Sequence, residues 1–201
     1  MSSTAKLIII TAFPSESRVI IDQFKLKRQH KQRSFQHYVN KENTIHLVES
    51  GKGKIAAAAA TASAYQYSGE YKHSHFINIG IAGGNFPIGS LHQIHKITDR
   101  SNDINHYPRI FGKIKSTTLI TCDKPVSEYS DDCCFDMEAS GFYQIASKLV
   151  PHEQISILKV ISDNPHFDHS NITKQSTISN INKNIDTIKE HCNTMLTNSQ
   201  A

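Results

Sequence analysis

Residues 156–163 read Ser-Ile-Leu-Lys-Val-Ile-Ser-Asp, an apolar run with the length of a strand that ends abruptly on the carboxylate of Asp163. A second run of this kind, Phe135-Asp136-Met137-Glu138, comes earlier in the chain and opens a pattern typical of a helix. In an open α/β sheet, ligands bind outside the carboxyl ends of the strands, so acidic residues at those ends face a site rather than bulk water. Two such ends predict a functional site that contains carboxylates.

The sequence on either side of these runs alternates between strand and helix patterns. Short apolar runs predict strands, and apolar residues at helical spacing or an Ala-rich composition predict helices. The predicted strands are 6–12, 34–40, 44–49, 76–81, 91–97, 117–121 and 155–161, and the predicted helices are 15–24, 55–67, 137–149 and 172–196. This alternation predicts a single α/β domain over residues 1–201, with helices packed on a largely parallel sheet.

The composition is that of a globular protein without a strong charge bias. The chain has 201 residues, of which 38% are hydrophobic and 20% charged, and its formal charge is +4. Its basic residues are scattered apart from Lys25–Arg28 with Lys31 and Arg33, a cluster that we interpret as a solvated helix end. A nucleic-acid groove needs a basic stripe with aromatic residues between its charges, so no nucleic-acid partner is expected.

The sequence also bears on where the protein works. No segment has the length of a membrane span, and the apolar start at Leu7–Ile10 is too short for a secretory signal. The cysteines at positions 122, 133, 134 and 192 include no C-x-x-C pair. These features predict a reduced, cytoplasmic protein that does not associate with a membrane.

Two glycine-rich turns indicate places where the backbone approaches something closely. The turn Gly51-Lys52-Gly53-Lys54 has N–H groups that could cradle an anion at a helix start, and a tight strand-to-helix turn explains it equally well. It lacks the spacing of a phosphate-binding Walker A loop. Residues 80–84, Gly-Ile-Ala-Gly-Gly, do not form a dinucleotide-binding motif, but they indicate close contact with a ligand or a neighbouring helix.

Metal and nucleophile motifs are weak in this sequence. His166, Asp168 and His169 form the only tight cluster among twelve histidines, and a polar loop explains their spacing better than a zinc site does. No G-x-S-x-G motif is present. Cys133 and Cys134 lie where a strand is predicted to begin, which favours buried and inert thiols. No metal or organic cofactor is therefore expected.

Three carboxylates remain as candidates for chemistry: Glu16, Glu138 and Asp163. Each has an ordinary explanation, because an acid in the first turn of a helix is favoured by the helix dipole and Asp is a common cap. However, each also follows a buried strand at its carboxyl end, and three such ends can converge on one crevice.

Four segments together resemble a known superfamily. Residues 50–58 (SGKGKIAAA), 77–84 (INIGIAGG), 136–139 (DMEA) and 160–163 (VISD) occur in this order, each in a strand or helix context. The chain is thereby similar to the nucleoside phosphorylases and nucleosidases, most of all to the methylthioadenosine/S-adenosylhomocysteine nucleosidases. This resemblance implies a three-layer α/β/α sandwich around a mixed, twisted sheet, usually in homodimers or larger homo-oligomers.

The resemblance also implies roles for individual residues. Asp163 matches the general acid that protonates the purine as the glycosidic bond breaks, and Glu16 matches the glutamate that orients the attacking water. Glu138 matches the acid that binds the ribose hydroxyls, with Met137 against the sugar. The other substrate contacts that the resemblance implies are Ser50, Ala82, Gly83 and Ser162.

The chain departs from the nucleosidases in two places. Ile81 stands where they carry a small polar residue, and the segment between residues 98 and 135 is short, which leaves residues 121–126 to contact the base and the 5′ group. The leading hypothesis is hydrolysis of the N-glycosidic bond of a purine nucleoside. One alternative is a phosphorylase that binds phosphate with Lys52 or Ser50 and Arg18. The other is a nucleoside-binding protein that has this fold but little catalytic activity.

Overall fold

A mixed β-sheet forms the middle of the molecule. The computed structural model describes residues 5–29, 34–69, 73–129 and 132–197, and within them the sheet has ten strands. Their bounds are β1 Lys6–Thr11, β2 Lys27–Arg28, β3 Gln36–Val39, β4 Ile45–Glu49, β5 Ser74–Gly84, β6 Leu91–Asp99, β7 Ile104–His106, β8 Ser116–Thr121, β9 Cys133–Asp136 and β10 Ile155–Asp163.

The longest strand pairings are parallel. β1 lies between β4 and β5, and β5 lies between β1 and β10, all in parallel register. β6 pairs in parallel with β8, which pairs in parallel with β9. Antiparallel pairs join β10 to β6 and β5 to β9, so that β5, β10, β6, β8 and β9 close into a ring. Because β5 belongs to both the open and the closed part of the sheet, its carboxyl end is where the site elements meet.

Helices cover both faces of this sheet. Their bounds are α1 Pro14–Gln23, α2 Lys54–Ser68, α3 Ala139–Leu149, α4 Lys174–Asn182 and α5 Ile185–Thr197. α2 packs on α3 and α1 packs on α4 and α5, with one hydrophobic core beneath each group. The predicted three-layer α/β/α arrangement is therefore confirmed. None of the helices in the described ranges is long and apolar enough to span a membrane.

The prediction of a single helix over residues 172–196 is wrong. α4 ends at Asn182 and α5 begins at Ile185. The side chain of Asn184, between the two helices, donates hydrogen bonds to the carbonyl oxygens of Gly89 and Asn180, both at 2.9 Å. The bond to Gly89 ties the segment between the two helices to a distant loop.

The basic cluster near the first helix also differs from its interpretation. Lys27 and Arg28 are exposed, as expected, but they form the edge strand β2 rather than a helix end. Lys31 and Arg33 lie outside the described residues. Lys27 and Arg28 thus form a short charged edge of the sheet, a common way to prevent edge-to-edge association of strands.

Candidate active site

One cavity brings together most of the residues that the sequence singled out. It has a volume of about 290 Å³ and opens where α1, the end of β5, the residues after β9 and the end of β10 meet. The predicted site residues that line it are Glu16, Ala82, Gly83, Met137, Glu138, Ser162 and Asp163. Ser50 is not among its lining residues: it is buried, and its hydroxyl donates to the carbonyl oxygen of Gly51 at 2.8 Å.

Glu16 is held rigidly at the floor of the cavity. Its Oε2 accepts hydrogen bonds from the backbone N–H groups of Ala12 and Phe13, at 2.7 and 2.9 Å, and its Oε1 accepts one from Ile81 at 2.9 Å. A Cβ on Gly80 would lie 2.8 Å from Oε1, so this strand position has to be glycine for the carboxylate to approach. Burial raises the pKa of Glu16, although the three N–H bonds act against the shift.

A buried lysine lies among the carboxylates of this site. Lys159, in the middle of β10, is 1% exposed, and its Nζ lies 2.9 Å from Oδ2 of Asp136. Asp136 also accepts hydrogen bonds from the Thr121 hydroxyl and the Ala139 N–H, so its charge is fully satisfied. Burial acts against the charge of Lys159, but the nearby carboxylates outweigh it and raise its pKa. The ammonium therefore supplies fixed positive charge beneath the cavity.

Glu138 contacts the glycine-rich turn and lies near the charge of Lys159. Its Oε1 accepts the backbone N–H of Gly53 at 2.8 Å, so this turn binds a carboxylate of the protein itself. Burial and the charge of Asp136 raise the pKa of Glu138 to about 7, while Lys159 acts in the opposite direction. Near neutral pH this carboxyl group is therefore poised between its neutral and charged forms.

Both carboxyl oxygens of Asp163 are engaged at the opposite wall. Its Oδ1 accepts the hydroxyl of Ser162, and its Oδ2 is hydrogen-bonded to the hydroxyl of Tyr129. The Tyr129 hydroxyl also lies 2.8 Å from the carbonyl oxygen of Val126. A Cβ on Gly83 would come within 2.6 Å of both Asp163 and Tyr129, so the glycine makes room for their contact.

The loop after β8 forms one wall of the cavity. Lys124, Pro125 and Val126, all within the segment expected to contact the base, line it together with Tyr129. The loop is anchored by Asp123, whose carboxylate lies 2.9 Å from Nζ of Lys54 at the start of α2. The short segment before β9 thus does supply a wall for the site.

Sequence reasoning assigned no role to Lys159 or Tyr129. Lys159 carried a signal, because a lysine inside a fully buried strand requires an acidic partner. Tyr129 carried none, because its loop has no helix or strand pattern. The histidine cluster contributes only His169 to the cavity wall, and Asp168 caps a short 3₁₀ helix by accepting the N–H of Ser170. Across the described ranges, no group of three or more His, Cys, Asp or Glu side chains could hold a metal ion.

Comparison with known proteins shows which solved structures share this architecture. No protein-family model and no curated protein sequence matches the chain. It is similar to a 5′-methylthioadenosine/S-adenosylhomocysteine nucleosidase from S. pneumoniae, with a TM-score of 0.76 and 15% identity over 94% of this chain and 99% of that chain. The corresponding enzyme from Campylobacter jejuni gives a TM-score of 0.73 at 16% identity, covering 93% and 98% of the two chains. The 5′-methylthioadenosine nucleosidase of Arabidopsis thaliana gives 0.71 at 17%, covering 98% and 96%.

These matches identify the architecture as an α/β/α sandwich of the nucleoside phosphorylase type. Within that class, the chain has the fold of the 5′-methylthioadenosine/S-adenosylhomocysteine nucleosidases over nearly its whole length.

Proposed function

We propose that this protein is an N-glycosidic hydrolase that releases the base of a purine nucleoside with water as the nucleophile. The observation that carries the proposal is the convergence of Glu16, Glu138 and Asp163 on one cavity in a chain with the nucleosidase fold. The proposed setting is the cytoplasm, because all four cysteines are free thiols. We also propose that the protein works as a homo-oligomer, as its sequence resemblance implies.

The proposed mechanism divides the labour among the three carboxyl groups. Asp163 gives a proton to the leaving purine, which breaks the bond to the sugar without releasing a base anion. Glu138 accepts hydrogen bonds from the ribose hydroxyls and places negative charge near the oxocarbenium ion that forms. Glu16 takes a proton from the attacking water as a general base.

The contacts favour water over phosphate as the nucleophile. The phosphorylase alternative requires phosphate binding by Lys52 or Ser50 together with Arg18, and of these only Lys52 lines the cavity. Arg18 is exposed and pairs with Asp22 at 3.4 Å. Two exposed lysines, Lys52 and Lys124, line this cavity together with the acidic residues Glu16, Glu138 and Asp163, so its wall has no excess of basic side chains that would attract an anion.

The decisive experiment measures purine release from a small panel of nucleosides in buffers with and without inorganic phosphate. Release that is independent of phosphate, and that falls at least about 100-fold in Glu16→Gln, is the expected result. Glu42→Gln, in an exposed turn between β3 and β4, is the matched control. Strict dependence on phosphate would instead establish a phosphorylase. Binding without release would establish the nucleoside-binding alternative.

Tyr129 allows a separate prediction about substrate binding. Its hydroxyl occupies the Asp163 oxygen that a purine nitrogen has to reach, so it must be displaced when the base binds. Tyr129→Phe removes this competing hydrogen bond and should lower KM by about 2- to 10-fold, the value of one ordinary hydrogen bond, with little change in kcat. Steady-state kinetics on the most active nucleoside of the panel measures both constants. A rise in KM would mean that the hydroxyl binds substrate instead.

A further inference from the structure

A charged cluster lies beside the candidate site, at the start of α2. The Nζ of Lys54 is 2.9 Å from a carboxylate oxygen of Asp99, the last residue of β6. It is also 2.9 Å from a carboxylate oxygen of Asp123, in the loop after β8. No step of the proposed reaction uses Lys54, so its position between two carboxylates needs another explanation.

The two carboxylates differ in how firmly the protein holds them. The side chain of Asp99 is 3% exposed, and it also accepts hydrogen bonds from the hydroxyls of Ser101 and Ser140, at 2.7 and 2.8 Å. The side chain of Asp123 is 66% exposed. A buried acid with several donors is held in place by them, whereas an exposed acid is free to move unless a partner holds it. Asp99 therefore fixes the ammonium of Lys54, and this ammonium in turn holds Asp123.

The backbone at Lys54 is fixed from the opposite side. The N–H of the preceding residue, Gly53, donates to Oε1 of Glu138 at 2.8 Å. Helix α3, which begins directly after Glu138, packs on Lys54 so closely that a Cβ on Gly141 would lie 2.1 Å from the Lys54 carbonyl oxygen. The two residues Gly53 and Lys54 thus contact Glu138 through the backbone and Asp123 through a side chain.

Asp123 comes directly before the three residues of the loop that line the cavity. Across the described ranges, two polar side-chain contacts hold this short segment. One is the ion pair of Asp123 with Lys54, and the other is the bond from the Tyr129 hydroxyl to the carbonyl oxygen of Val126. If Tyr129 is displaced when the base binds, as proposed above, the ion pair with Lys54 is the contact that remains.

We propose that Lys54 is a positioning residue of the site: its ammonium holds Asp123, and thereby the wall that faces the purine base, at a fixed distance from Glu138. The inference rests on the proposed function for the placement of base and ribose. The three carboxyl groups of the proposed mechanism come from other elements than this loop. Loss of the ion pair should therefore weaken binding of the base without removing a group that takes part in the reaction.

Asp123→Asn is the first test, because the residue is exposed and the substitution keeps its shape. It should raise KM for adenosine and the dissociation constant for free adenine by about 2- to 5-fold, the range of an exposed ion pair, and leave kcat unchanged. Thermal unfolding should match that of the native protein. Asp103→Asn, in the exposed turn between β6 and β7, is the matched control and should change neither constant.

Variants of Lys54 test the other partner. Lys54→Met should weaken adenine binding at least as much as Asp123→Asn, and Lys54→Arg, which keeps the charge, should restore most of the affinity. Adding Asp123→Asn to Lys54→Met should weaken binding no further, because both changes remove the same contact. Because Lys54→Met also leaves Asp99 without its counter-ion, Asp123→Asn decides the matter if that variant does not fold.

Salt provides a readout that a merely structural role would not affect. Raising NaCl from about 0.05 M to about 0.5 M screens an exposed ion pair, so it should weaken adenine binding by the native protein more than by Asp123→Asn. Titration calorimetry measures both dissociation constants.

Binding and release together separate this inference from the proposed function. Adenine binding that is weakened in Asp123→Asn, in a protein that releases no purine, would support the role of Lys54 and overturn hydrolysis. Purine release with unchanged KM and adenine binding in Asp123→Asn, or with equal salt dependence in the two proteins, would overturn the inference alone. A native protein that binds neither adenosine nor adenine would overturn both.

Discussion

Replacing Asp163 with Asn should lower the rate of purine release by about 10²- to 10⁴-fold, the usual contribution of a general acid. Asn has nearly the same shape, and its amide oxygen can still accept one of the two hydroxyls of Ser162 and Tyr129 while its NH2 group donates to the other, so the fold and the cavity should persist. What it lacks is an acidic proton for the leaving base. Purine release at substrate saturation, followed by absorbance, gives kcat directly.

Two further measurements make this prediction specific. Asp168→Asn, in the exposed loop that follows, should keep full activity, because its amide can still cap the short helix there. Substrates with an activated leaving group need less protonation, so they should lose less rate in Asp163→Asn than ordinary purine nucleosides do. If Asp163→Asn retains more than about a tenth of the native kcat on ordinary nucleosides, Asp163 is not the general acid of the reaction.

Replacing Lys159 with Met should destabilise the protein by about 3–5 kcal/mol, the typical cost of leaving one partner of a buried ion pair uncompensated. Asp136, Glu138 and Glu16 would then share a buried region without their cation. Urea unfolding followed by circular dichroism measures the free energy of unfolding. Lys148→Met, at an exposed position in the last turn of α3, should change it by less than about 0.5 kcal/mol.

A double variant separates lost charge from lost packing. Adding Asp136→Asn to Lys159→Met removes the buried carboxylate that lost its ion-pair partner, so the double variant should recover part of the lost stability. Lys159→Arg preserves the charge and should be milder than Lys159→Met. If the free energy of unfolding of Lys159→Met lies within about 1 kcal/mol of that of the native protein, the ammonium is not the counter-ion that the geometry indicates.

The same lysine affects the pH dependence of the proposed reaction. Glu138 has a pKa of about 7, and the hydrogen bonds that it accepts from ribose are stronger when it is charged. Protonation as the pH falls through this range therefore weakens substrate binding. Because Lys159 lowers the pKa of Glu138, its removal should move this loss of activity to higher pH, provided that the variant folds.

A layered α/β fold with a largely parallel sheet and the meeting of acidic strand ends in one crevice could both be predicted from the sequence patterns. Each depends on local patterns: buried runs such as 6–12 and 155–161 form strands, and the acids at their carboxyl ends are carried to one edge of the sheet. Glu16, Glu138 and Asp163 lie together for this reason. The positions of Met137 and Gly83 follow from the same strand ends.

Only the tertiary structure decided what these carboxylates contact. The ion pair between Lys159 and Asp136 joins two strands that are distant in sequence, and the contact of Tyr129 with Asp163 depends on how an irregular loop folds back. The break between α4 and α5 likewise depends on a bond from Asn184 to the loop at Gly89. Periodicity and propensity describe a segment and its own neighbours, so they contain no information about such pairs.

The run that ends on Asp163 shows this division within eight residues. Its sequence determined a buried strand with an acid at its end, because apolar side chains are driven out of water. Whether Lys159 within it would be a defect or a counter-ion, and whether Asp163 would meet solvent or a tyrosine, depended on side chains brought in from other strands and loops. Packing and charge compensation are properties of the assembled molecule, and these decided the chemical character of the site.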